Sequence, residues 1–137
     1  MTRIKDKIKE IEEYVDQLKE MVPESLEEYK SNREKKAACE RYVEKIVEAV
    51  TDLAFLIIKT KKMRIPEDDA DAFTILLENK IIDNGLAMRL KNAKGMRNII
   101  SHQYGKVDDE IVFEAITEDI DRDVMIFIDK TKTTDKA

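Results

Sequence analysis

Apolar residues recur every three or four positions along most of this chain, dividing it into amphipathic helices. Ile4, Ile8, Ile11, Val15, Leu18 and Val22 form the first series, over residues 2–22, and Pro23 ends it because proline lacks a backbone donor. Ser25 and Glu28 have the spacing of a capping box, which predicts a short helical turn with few apolar residues to hold it. From Asn32 to Thr60, Cys39, Val43, Ile46, Val50, Leu53 and Ile57 mark a long central helix. Its apolar face widens into Leu53-Ala54-Phe55-Leu56-Ile57-Ile58, so that end is expected to be covered on most sides.

The basic connector Lys59 to Arg64 and Pro66 interrupts the pattern. A short helix is predicted over Asp69 to Glu78, with Ala72, Phe73, Leu76 and Leu77 inward. Asp83 then suits the N-cap of a further helix through Leu86, Leu90, Ala93, Met96 and Ile100, with Gly105 as its terminator. Asp108 caps a last helix carrying Val112, Ala115, Ile116, Ile120, Val124 and Phe127, and the tail from about Lys130 is expected to fray. Short connections favour antiparallel neighbours. The expected fold is all-α: an up-and-down antiparallel bundle of four main helices plus a short fifth, in one domain spanning residues 1–137.

Composition supports this picture, since 40% charged and 6% aromatic residues with three Gly and two Pro suit long solvated helices rather than a turn-rich β fold. The formal net charge of −5 means that a polyanion must be held by a local basic patch, not by the molecule as a whole. With one cysteine, Cys39, no intramolecular disulfide forms, and no N-terminal apolar run resembles a signal peptide or membrane span. A reduced, cytoplasmic protein is the expectation.

The single histidine, His102, narrows the chemistry most. It excludes sites built from several histidines, and nothing in the carboxylate spacing singles out a magnesium site, so no metal or cofactor is expected. Asp119, Asp121 and Asp123 lack the glycine and closing glutamate of a calcium loop and are read as a solvated helix face. Ser101 adjoins His102, but consecutive residues on a helix do not face each other. Cys39 lies on an apolar helical face, as a small core residue does.

There remains Arg97-Asn98-Ile99-Ile100-Ser101-His102-Gln103-Tyr104-Gly105, a cation, an imidazole and a phenol within two turns. Arg97 and Tyr104 share a face, as do Asn98 and His102. Arg97 and His102 diverge by roughly 140° on a regular helix of 3.6 residues per turn. Either the last turn before Gly105 is distorted, or two copies of the segment face each other across a dimer axis. An imidazole is suited to passing protons. Taken alone, such a histidine is more often a capping or interface residue.

The string Arg97-x-x-x-x-His102-x-Tyr104 resembles the signature of HEPN-domain proteins, specifically the HepT-like toxins encoded beside a minimal nucleotidyltransferase antitoxin. Asn98 after the arginine and the motif's place at the end of the penultimate helix add to the likeness. It runs from the first helix through Glu40-Arg41 to the Val107-Asp108 step. The resemblance implies a HEPN-like bundle acting as the toxin of a type VII-like toxin–antitoxin pair, a metal-independent endoribonuclease and homodimer with RNA as substrate. His102 would then be general base or acid and Arg97 would stabilise charge on the phosphate. Asn98 would orient the phosphate or the imidazole, and Lys94 and Lys106 would lie near the RNA. Tyr104 would be the residue the nucleotidyltransferase partner silences by AMPylation, the adenylyl group placing negative charge on the face of Arg97. Two alternatives share the helical architecture: a non-catalytic HEPN module presenting nucleotide or substrate to a nucleotidyltransferase, and a structural adaptor.

Overall fold

A computed structural model of the chain describes residues 2–102 and 108–136, and every regular element among them is helical. Helix α1 (Thr2–Met21) buries Ile4, Ile8, Ile11, Val15 and Leu18, the predicted stripe, chiefly against α3. Val22 closes the last turn onto the Leu18 carbonyl just before Pro23. The capping box after it is formed: Ser25 Oγ accepts from the Glu28 amide at 3.1 Å and opens α2 (Leu26–Ser31). What the apolar pattern did not show is how so short a helix is held. Tyr29, fully buried, sets its ring against that of Phe113, tilted, with centroids 5.4 Å apart. Asn32 then ends one helix and starts the next, its amide donating to the Glu28 carbonyl while its Oδ1 accepts from the Lys35 amide.

Helix α3 (Arg33–Thr60) is the central rod, with eleven residues from Cys39 to Ile58 buried. At 28 residues it is about 42 Å long. It ends in a left-handed residue, Lys62 (φ 56°), which lets the Met63 amide reach back to the Ile58 carbonyl. Arg64 clamps this connector to α4 (Asp69–Glu78): its two Nη atoms grip the Asp71 carboxylate at 2.8 and 2.9 Å, and its Nε donates to Glu78. Asp68 caps α4. Inside this helix Ile75 is fully buried and Leu77 only half-buried, so the inward face is turned slightly from the expected one.

Asp83 Oδ1 accepts from the Leu86 amide at 2.7 Å and opens α5 (Asn84–His102), as the sequence suggests. The expected terminator, Gly105, lies outside the described residues. Asp108 caps the final rod by accepting from the Glu110 and Ile111 amides. That rod is not one uniform helix. It comprises α6 (Asp109–Glu114), a π-helical turn (Ala115–Asp119) and α7 (Ile120–Lys136). A π turn takes one extra residue into the winding, and here Thr117 also bonds its hydroxyl to the Phe113 carbonyl. The tail expected to fray from Lys130 is instead helical to Lys136, because Thr131 is buried and its hydroxyl donates to the Phe127 carbonyl at 2.9 Å.

Helix α1 packs on α3, α3 on α4 and α5, α5 on α7, and α7 back on α1, closing the four-helix bundle around Phe73, Leu76 and Phe127. The Asp119-x-Asp121-x-Asp123 run is only partly a solvated face. Asp123 is buried beneath Arg89 and Arg122, at 2.9 and 3.1 Å, while Asp121 pairs with Lys19 of α1. Truncating Phe127 to alanine is expected to cost about 3–5 kcal/mol in urea denaturation. A loss below about 1 kcal/mol would show that α7 does not dock as described.

Hydrogen bonds from Arg64, seconded by the Glu67 amide, hold the Asp71 carboxyl down at about 2. A depressed folded value means that the clamp contributes fully above the unfolded value near pH 4 and is lost as the pH falls towards 2. An NMR titration of Asp71 is expected to place its midpoint near 2, whereas a midpoint near 4 would mean that the clamp is open in solution.

Candidate functional site

Helix α5 is regular from Asn84 through His102, so the candidate residues stand where a 3.6-residue repeat puts them. Arg97 turns towards α3, and its Nη2 meets Glu48 Oε1 at 2.5 Å. Only 22% of the arginine side chain is exposed, and its buried Nε has no hydrogen-bond partner. Asn98, on the exposed side, accepts at Oδ1 from Lys94 Nζ (3.2 Å) and from Arg97 Nη1 (3.4 Å). Lys94 in turn pairs with Asp69 Oδ2 at 3.3 Å. Arg97, Asn98 and Lys94 are therefore brought together. Arg97 and Lys94 border a cavity of about 130 Å³ rimmed by Glu48, Asp52, Asp69 and Phe55.

His102 is not in this group. It is exposed in the last turn of α5 and makes no hydrogen bond or ion pair among the described residues. Between Arg97 and His102 the backbone is α-helical throughout, and the remainder of the last turn before Gly105, where a distortion was expected as one way of uniting them, lies outside the described residues. Within one protomer the guanidinium faces α3 and the imidazole faces outward.

Ser101 points inward, with its hydroxyl oxygen buried, and is not a partner for His102. Cys39 is fully buried, and burial pushes its thiol above the usual range, which suits a core residue and not a nucleophile. Among the described residues no group of His, Cys, Asp and Glu comes close enough together to hold a metal ion, and no helix is long and apolar enough to cross a membrane. Tyr104 and Lys106 lie outside the described residues.

The residue that sequence reasoning missed is Glu48. It sits 49 positions from Arg97, and local spacing carries no information about such a pair. It holds the guanidinium in one orientation and offsets its charge until another anion competes.

The chain can now be set beside known proteins. The model of the family described as "Ribonuclease HepT-like" matches residues 11–130. Over 90 residues the chain is 32% identical to an mRNA nuclease HepT of Shewanella oneidensis, covering 66% of this chain and 67% of that one. Over 114 residues it is 30% identical to a tRNA nuclease HepT of Aphanizomenon flos-aquae, covering 83% and 78%. A solved structure of the tri-AMPylated Shewanella oneidensis HEPN toxin in complex with MNT antitoxin superposes with a TM-score of 0.88 at 26% identity, over 95% of this chain and 96% of that one. By its helical order, its site and these likenesses, the chain belongs to the HepT-like ribonuclease family.

Proposed function

We propose that this chain is the toxin of a toxin–antitoxin pair, a metal-independent endoribonuclease that works as a homodimer and is silenced by AMPylation of Tyr104. The observation that carries the dimer is the unbroken winding of α5, which points Arg97 and His102 roughly 140° apart. A second copy docked on the exposed side of α5, which carries His102 and lies opposite Arg97, brings two imidazoles together, and the Arg97 guanidinium reaches the phosphate between them by leaving Glu48.

The surface of α5 supports such pairing. Met88, Asn92, Gly95, Ile99 and His102 form one exposed line with steps of four, three, four and three residues. Met88 and Ile99 are large apolar side chains left 57% and 44% exposed. Gly95 has nothing within 4 Å of the place a Cβ would take, so another helix can approach closely there. Spacing of this kind is that of a helix–helix seam.

In the shared cleft, His102 takes the proton of a ribose 2′-hydroxyl, and the oxygen attacks the adjacent phosphorus. The bond to the 5′-oxygen breaks, leaving a cyclic phosphate, and the second copy of His102 protonates the departing oxygen. Arg97 offsets charge on the non-bridging oxygens, displacing Glu48 as its partner, while Asn98 and Lys94 orient the phosphate. Lys106 is assigned to RNA binding as well, from its place in the sequence. Silencing is the transfer of an adenylyl group from ATP to the Tyr104 oxygen by a minimal nucleotidyltransferase, with release of pyrophosphate. The new negative charge then competes with RNA for Arg97. The AMPylated state and antitoxin partner of the Shewanella toxin support this reading.

His102→Ala is expected to abolish RNA cleavage in EDTA with the helical circular dichroism unchanged, and Arg97→Ala to slow it roughly 10²–10³-fold. Cleavage surviving at the wild-type rate in either variant would overturn the assignment. Gly95→Glu, which the isolated protomer has room for, is expected to give a monomer by sedimentation and an inactive enzyme. An active monomer would sink the shared cleft.

A further inference from the structure

Helix α3 is covered on nearly all sides, yet Glu48, Asp52, Phe55 and Lys59 stay exposed at steps of four, three and four residues. They make a single open seam down the rod between α1 and the α4–α5 side. Its catalytic end is the cavity at Arg97 and Lys94. Its far end is a larger cavity of about 610 Å³, where Arg3, Lys59 and Lys62 surround Leu56, Met63 and Ile65. Asp52 and Phe55 line both cavities, so the two adjoin.

Charge is graded along this seam. At the catalytic end each carboxylate is already engaged: Glu48 by Arg97, Asp69 by Lys94, Asp52 by Lys7 at 3.6 Å. At the far end Arg3, Lys59 and Lys62 make no ion pair among the described residues. The Phe55 ring is 36% exposed between the two ends, and Ile65 is 87% exposed beside the cations. In a chain with a net charge of −5, free cations around an exposed aromatic and apolar floor are the features of a surface that takes single-stranded nucleic acid, with bases on the ring and phosphates on the cations.

Building on the ribonuclease reading, we propose that the α3 seam is a track for the single-stranded RNA flanking the scissile phosphate, with Phe55 as a stacking platform and Arg3, Lys59 and Lys62 as phosphate contacts. From Glu48 to Lys59 the helix rises about 16 Å. At the roughly 3.4 Å phosphate rise of a stacked strand this spans about five nucleotides.

The test uses full-length chain carrying His102→Ala, so that binding is read without cleavage. A fluorescein-labelled twelve-nucleotide oligouridylate is the probe, followed by anisotropy across a salt series. Adding Arg3→Gln, Lys59→Gln and Lys62→Gln together is expected to weaken binding at least tenfold at low salt and to flatten the log–log salt dependence by about two. Adding Phe55→Ala alone is expected to weaken it roughly fivefold or more with the slope retained. All four side chains are exposed, and circular dichroism checks that the fold is kept. Unchanged affinity and slope, or no binding by the parent, would overturn the track. So would variants that bind RNA normally but no longer pull down the nucleotidyltransferase, since the seam would then be a protein interface. Cleavage by the wild type is scored separately: its absence rejects the nuclease reading, whereas cleavage with unchanged binding by the variants rejects only the track.

Discussion

The winding of α5 constrains everything that this protein does with RNA. A helix that keeps 3.6 residues per turn from Asn84 to His102 must aim residues five apart in widely different directions. Arg97 therefore looks into the protomer, where Glu48 receives it, and His102 looks out of it. Strain could have bent the helix to unite the pair, but the protein has left it straight and exposed a line of residues suited to a second helix. On the proposed reading, a second copy supplies what the straight helix does not.

That arrangement depends on the rest of the bundle holding α3 and α5 at a fixed separation. Leu86, Ala87 and Leu90 pack α5 inward, and the Arg64 clamp and the Asp83 cap fix the α4–α5 segment at its start. The buried Asp123, gripped by Arg89 and Arg122, ties α7 to α5 on the opposite side. Only the carboxylate of this group is buried, and with two half-exposed arginines on it the loss of one leaves the other to compensate its charge.

An acidic protein that handles RNA must concentrate its few useful cations. Along α3 the carboxylates nearest the candidate site are paired, and the unpaired cations lie at the other end of the seam. Screening within about 10 Å at ordinary salt limits how far the carboxylates elsewhere on the molecule act on these cations.

Much of this was legible in the chain itself. Period-3.6 apolar series, the Ser25, Asp83 and Asp108 caps and two prolines delimit the helices, because capping and burial act over three or four neighbouring residues. The motif Arg97-x-x-x-x-His102-x-Tyr104 was equally readable, and so was the angle between its first two members. The π turn in the last rod was not, since Ala115 and Ile116 fit an α pattern and a π one alike. Nor were Tyr29 as the anchor of α2, Thr131 as a buried residue of α7, or Glu48 as the partner of Arg97. Local sequence determined which segments wind and where the reactive groups sit on them. Only the tertiary structure decided which of those groups meet, because an ion pair 49 residues apart and a seam left open on a buried helix are products of packing between elements.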